Sequence, residues 1–152
     1  MRKLIARVLK AQAETYINKY NLRVIAVAGS VGKTSTTQAI ATVLAEQYSV
    51  RSTRKNYNTD LGVPCSVFNR ELPKHLKNPF AWLWIIFKNY VSILKKPSFE
   101  IVVLELGTDV PGEIMQFSWL KPDIAVVTAI ADEHMEYFKT LEAVAQEELA
   151  VS

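Results

Sequence analysis

The chain has 152 residues, 49% hydrophobic and 22% charged, which suits one folded domain and excludes a wholly disordered chain. Five glycines and six prolines exclude collagen-like or low-complexity sequence, and a single cysteine, Cys65, excludes an internal disulfide and a Cys/His zinc site, the pattern of a reducing, intracellular compartment. The net charge of +3 hides a split, with 16 Lys/Arg against 4 Asp/Glu in residues 1–98 and 2 against 11 in residues 99–152. The basic part suits phosphates, nucleic acid or an anionic membrane surface; the acidic part suits metal coordination or plain solvation.

Along residues 4–20, Leu4, Ile5, Val8, Leu9, Ala13, Tyr16, Ile17 and Tyr20 recur at three- and four-residue spacings, which predicts an amphipathic helix that occupies residues 1–22. Its apolar runs are too interrupted for a signal peptide. RVIAVA (23–28) then reads as a buried strand, GSVGKTS (29–35) as a turn, and residues 33–47 as a helix. SVRSTR (49–54) reads as a second strand and KNYNTDLGVP (55–64) as a loop punctuated by Asn58, Asp60, Gly62 and Pro64. A short helix is expected over Cys65–Glu71, and a proline-punctuated link leads to an aromatic helix over 80–94. That helix lies within a hydrophobic stretch at 72–98 and is too short to span a membrane. FEIVVLEL (99–106) is the clearest strand, GTDVPGE (107–113) a turn opening a helix at Pro111, DIAVVTAI (123–130) a fourth strand, and 140–150 a last helix. Strand-like runs alternating with helical ones predict an α/β fold built on a parallel sheet.

The sharpest chemical signal is Gly29-Ser30-Val31-Gly32-Lys33-Thr34, between a buried strand and a helix. Such a turn presents backbone N–H groups and the positive end of a helix to a phosphate; Lys33 reaches the outer phosphates and the Thr34 hydroxyl serves Mg²⁺. The usual first glycine of the phosphate-loop pattern is Val27 here. Glu105 closes an apolar parallel strand, which delivers its carboxylate to the sheet edge where the phosphate loop lies, as a metal or water ligand. Asp132, Glu133, His134 and Glu136 follow the fourth strand, either as metal ligands or as a solvated cluster at a helix start. His75 has no assigned role. With no N-K-x-D motif after the loop, ATP is the expected nucleotide rather than GTP.

VAGSVGKTST, NYNTDLGVP, LELGTDVPGEI and PDIAVVTAI-ADEHMEYFKTLEAVA, in this order and spacing, resemble the central ATPase domain of the Mur ligase family, within it the branch that adds D-alanyl-D-alanine. The resemblance covers most of residues 23–148 and implies a P-loop NTPase-like domain at 23–152. It also implies a reaction: the ATP γ-phosphoryl group passes to a substrate carboxylate, and an amine displaces phosphate from the acyl phosphate to form an amide. Gly29, Ser30, Val31, Gly32, Lys33, Thr34 and Ser35 would hold ATP; Thr34, Glu105 and His134 would hold Mg²⁺; Asn58 would face the substrate; Lys33 and His134 would be catalytic. The implied partners are a UDP-muramoyl peptide and an amino acid or dipeptide, in the cytoplasm, without nucleic acid.

The sequence departs from the family in having only about 22 residues before the first strand and in stopping at Ser152, which leads us to expect a fragment or a reduced relative. Gln146-Glu147-Glu148 stands where several members carry a carbamylated lysine, so that Glu148 offers a carboxylate in its place. The segment from about 72 to 98, which includes PFAWLWIIFKNYVSILKKP, is longer than the family usually has between these blocks. An interfacial helix at the inner membrane face wants this mixture, and so does a helix packed on the sheet or on other domains. A folylpolyglutamate-synthase-like ligase shares the implied chemistry, but NYNTDLGVP and PGEI argue against it. A nucleotide-binding module without catalysis and a membrane-associated interaction protein are the remaining alternatives.

Overall fold

Alternation along RVIAVA sends Val24, Ala26 and Ala28 to one face of a strand and Ile25 and Val27 to the other, and both faces are buried. In the computed structural model, which describes residues 1–53, 57–132 and 135–151, this strand, β1 (Arg23–Ala28), sits inside an all-parallel four-stranded sheet. The spatial order is β2 (Val50–Ser52), β3 (Ile101–Glu105), β1, β4 (Ile124–Val127). β3 pairs with β1 in a register that sets Glu105 beside Val27. The four expected strands are thus present, β1 with the expected bounds and the other three trimmed at their ends.

The two faces carry different helices. α2 (Lys33–Ala45) covers Ile25, Val27, Ile101 and Val103 through Ile40, Ala41 and Leu44. Against the other face lie α1 (Arg2–Tyr20), α3 (Gly62–Val67) and a 3₁₀ segment (Ile114–Leu120), which bring Tyr16, Ile17, Val67, Phe117 and Leu120 onto Val24, Ala26, Val102 and Leu104. The chain leaves β1 toward β2 on one face and leaves β3 toward β4 on the other. A crevice therefore opens between the carboxyl ends of β1 and β3, where parallel α/β sheets hold their ligands.

Three expectations shift. α3 starts at Gly62, three residues early: the Thr59 hydroxyl and carbonyl take the Gly62 and Val63 N–H groups, and Pro64 needs no partner in a first turn. The helix expected from Pro111 is instead a turn followed by the 3₁₀ segment. Gly112 has a left-handed φ of 88°, and the Glu147 carboxylate takes the N–H groups of Gly112 and Ile114 before a helical ladder begins. A short α5 (Met135–Phe138), not expected, precedes α6 (Leu141–Leu149), which the Thr140 hydroxyl caps.

The aromatic helix forms as α4 (Pro79–Ile93), with Asn78 accepting from the Phe80 and Ala81 N–H groups and Pro79 in the first position. It lies in a second tier, on α1 and α3, with Trp82 and Ile85 in a cluster with Ile5, Leu9, Leu61 and Cys65. The fully buried Asn89 binds Gln12 and Arg70 there. Among the described residues no helix is long and apolar enough to cross a membrane.

Candidate nucleotide-binding site

β1 ends at Ala28 and the chain turns at once through Gly29, whose φ is 118°. A Cβ there would lie 2.2 Å from Thr128 Oγ1 and 2.9 Å from Thr128 N, so the loop passes the end of β4 at glycine distance. The first amides of the loop point into the protein. Gly29 N donates to Glu148 Oε2 at 2.7 Å, and Ser30 N and Val31 N both donate to the Ala129 carbonyl, at 2.9 and 3.2 Å. Ser30 Oγ donates to the Ala131 carbonyl. The loop is thereby clamped in shape before any ligand arrives.

Gly32, with φ 91°, caps α2 without a side chain, and the first backbone bond of the helix runs from Thr36 N to Gly32 O. The N–H groups of Lys33, Thr34 and Ser35 therefore open the helix with no intrahelical acceptor, and they carry the positive end of its dipole. Those amides, rather than those of residues 29–31, are the ones turned outward. Lys33 Nζ folds back onto the carbonyls of Gly29 and Ser30. Ser35 and Thr34 are exposed, and Thr34 Oγ1 reaches across to Glu105 Oε2 at 2.8 Å.

Glu105 is buried at the end of β3, with 3% of its surface exposed. Its backbone N–H donates to Thr53 Oγ1 at 3.0 Å, and its Oε1 lies 3.5 Å from Asn58 Nδ2. Asn58 is held in turn by its carbonyl, which accepts from Gly107 N, and Gly107 leaves no room for a Cβ beside the Asn58 amide. Thr34, Glu105 and Asn58 are thus brought together from three separate stretches of sequence. The Thr34 hydroxyl and the Glu105 carboxylate are hard oxygen donors of the kind that suit Mg²⁺, and among the described residues the buried carboxylate meets the Thr34 hydroxyl and the Asn58 amide, a setting that fits a cation. Among the described residues no three His, Cys, Asp or Glu side chains cluster as a metal site. Glu133 and His134 lie outside the described residues, as do 54–56.

A cleft of about 670 Å³ adjoins Lys33 and Asn58, with Gly107 and Thr108 in its wall and Arg2 and Lys3 of α1 on its rim. Arg2 pairs there with Asp60 at 2.7 Å. Sequence reasoning missed Thr53, Thr128 and this rim, because their roles come from neighbours in space that no local pattern reveals. For Glu147 and Glu148 the available signal was two adjacent acids near the end of a helix, both of which prove to be buried. Glu148, read as a replacement for a carbamylated lysine, holds the phosphate loop itself through Gly29.

The Mur ligase middle domain family matches residues 27–75 and 85–151. The UDP-N-acetylmuramoyl-tripeptide–D-alanyl-D-alanine ligase of Bacillus subtilis is 33% identical over 144 residues, covering 94% of this chain and 26% of that protein. The crystal structure of the MurF ligase of Thermotoga maritima in complex with ADP superposes with a TM-score of 0.72 at 25% identity, over 96% of this chain and 29% of its own. The chain spans about a quarter of the length of these relatives. Escherichia coli FolC, at 17% identity and a TM-score of 0.57 over 97% of this chain and 38% of that one, shares the fold alone.

Proposed function

The chain belongs to the Mur ligase family, through its middle domain, and on that premise we propose that it is the ATP-binding part of a peptidoglycan-precursor ligase. The observation that carries the reading is the Lys33–Thr34–Glu105 arrangement, with a helix start that no side chain caps among the described residues and a buried carboxylate at the carboxyl ends of adjacent parallel strands. In this reading Lys33 leaves the Gly29 and Ser30 carbonyls and turns to the terminal phosphates, while the amides of residues 33–35 hold phosphate oxygens. Thr34 and Glu105 hold Mg²⁺, with His134 as a further ligand, and the bound ion supplies charge neutralisation for the transferred phosphoryl group. Asn58, fixed beside Glu105 at the mouth of the cleft, faces the acceptor carboxylate.

The reaction proposed for the whole protein is phosphoryl transfer to the carboxylate of a UDP-muramoyl tripeptide, then attack by the amine of D-alanyl-D-alanine. An amide forms, and ADP and phosphate are released in the cytoplasm. Phosphoryl transfer asks mainly for positioning and charge, and a clamped loop supplies both.

Calorimetric titration with ATP, with and without Mg²⁺, tests the site. We expect Mg²⁺-dependent binding that weakens at least tenfold in Lys33→Ala and Thr34→Ala while the circular dichroism spectrum is retained. Equal affinity in a folded Lys33→Ala variant would remove the assignment. A ligase assay on the whole protein separates catalysis from a binding module, since a module would bind ATP and yield no amide.

A further inference from the structure

We propose that the outward face of α4 seats the protein on an anionic membrane surface, the helix lying flat in the headgroup layer. Phe80, Leu83, Trp84, Phe87, Tyr90 and Leu94 are each more than half exposed, and their spacing places them along one side of the helix. The opposite side carries Trp82, Ile85 and Asn89, which are buried on α1 and α3. A helix facing only water carries polar side chains there, and an apolar stripe of this size marks a contact surface.

Charge selects the occupant. Residues 72–98 contain five lysines and no Asp or Glu. Lys88 flanks the stripe with its ammonium 4.8 Å from the centre of the Trp84 ring, and Lys95 and Lys96 follow the end of the helix. Aromatic rings with lysines at their edge match the boundary between acyl chains and anionic headgroups. Pairing with a second copy would oppose these lysines to one another.

The way α4 is held sets its orientation. Gln12 Nε2 donates to the Ile86 carbonyl, Asn89 donates to Gln12, and Tyr20 Oη and Lys19 Nζ both donate to the Ile93 carbonyl. These bonds tie the helix to α1 along its length, so its exposed side faces outward as a fixed strip. The family match leaves out residues 76–84, where the stripe begins, and α4 lies over α1 and α3, on the side of the sheet away from α2.

The test is flotation of the purified whole protein with vesicles of phosphatidylcholine, alone or with about a third phosphatidylglycerol, at low and high salt. Binding should favour the anionic vesicles at least tenfold and weaken with salt. It should fall at least tenfold in Phe80→Ser/Trp84→Ser/Phe87→Ser and in Lys88→Glu/Lys95→Glu/Lys96→Glu. ATP affinity should stay unchanged in both variants, which separates this proposal from the nucleotide reading. Trp82 and Trp119 are buried, so a blue shift and reduced acrylamide quenching on vesicle addition should come from Trp84 and vanish in Trp84→Phe. Three outcomes would overturn the proposal. One is no partition into anionic vesicles. A second is a dimer that the aromatic variant turns into monomer. The third is a Trp84 already shielded from quencher without lipid, which would show another part of the protein covering the stripe.

Discussion

Gly29 and Gly32 are both glycines with positive φ in one short loop, yet they are required for different reasons. At Gly29 the backbone of Thr128 occupies the space of a Cβ, whereas at Gly32 nothing lies within 4 Å of it. Gly32→Ala should therefore cost only the conformational penalty, about 1–2 kcal/mol. Gly29→Ala adds a clash with backbone that cannot rotate away, and the cost should rise to on the order of 3–5 kcal/mol. It should also release the Glu148 contact to the Gly29 amide and weaken ATP binding. Urea denaturation of the two variants checks this, and equal losses would refute the packing argument. At this scale the loop glycines, Lys33, Thr34 and Glu105 were legible in the sequence, because a strand, a glycine turn and a helix start leave a local pattern. Thr53 and Thr128 were not, because their importance comes from strands that neighbour the loop only in space.

Among the elements, α6 and the loop between β3 and the 3₁₀ segment depend on one carboxylate. Glu147 accepts from Gly112 N and Ile114 N, each at 2.7 Å, and from Thr108 Oγ1 at 3.3 Å. Both of its oxygens face N–H donors. Glu147→Gln puts an amide NH₂ where one of those oxygens was, so a donor meets a donor, and a loss of about 1.5–3 kcal/mol is expected. Urea unfolding would give that loss, and amide exchange at Gly112 and Ile114 should speed up ahead of the β1 amides. If exchange there stays as slow as in the core strands, Glu147 does not hold this loop. The same bonds explain why a helix expected from Pro111 gives way to a turn: the N–H groups that would have begun it already have an acceptor 33 and 35 residues away.

For the whole molecule, burial leaves a pH signature. Burial pushes the Cys65 thiol up from 9.0 to about 12, with nearby Arg70 opposing the shift, and burial also raises Tyr16 above 10.0. An acid raised on folding keeps its proton where the unfolded chain has already lost it. Stability should therefore hold below pH 9 and fall as pH climbs from about 9 toward 12. The Cys65 share is on the order of 4 kcal/mol over that span. Denaturant unfolding of the chain and of Cys65→Ala, compared between pH 8 and about 10.5, isolates it, since Cys65→Ala should lose the early part of the decline. Parallel curves would mean that Cys65 ionises as freely folded as unfolded.

The parallel α/β class, the placement of four strands, the glycine loop and the family were all readable from the residues alone, because each is written in local periodicity or in a contiguous motif. Its two acids at 147–148 and its aromatic helix were visible as residues and ambiguous as roles. Tertiary structure decided those roles. The order β2-β3-β1-β4 brings Glu105 to Thr34 across a gap of 71 residues, and α6 returns Glu148 to Gly29 across 119. It also sorted α4 into a buried and an exposed side. The helix is apolar on nearly every side, so its own pattern could not say which face α1 would cover, and only the packing partner breaks that symmetry.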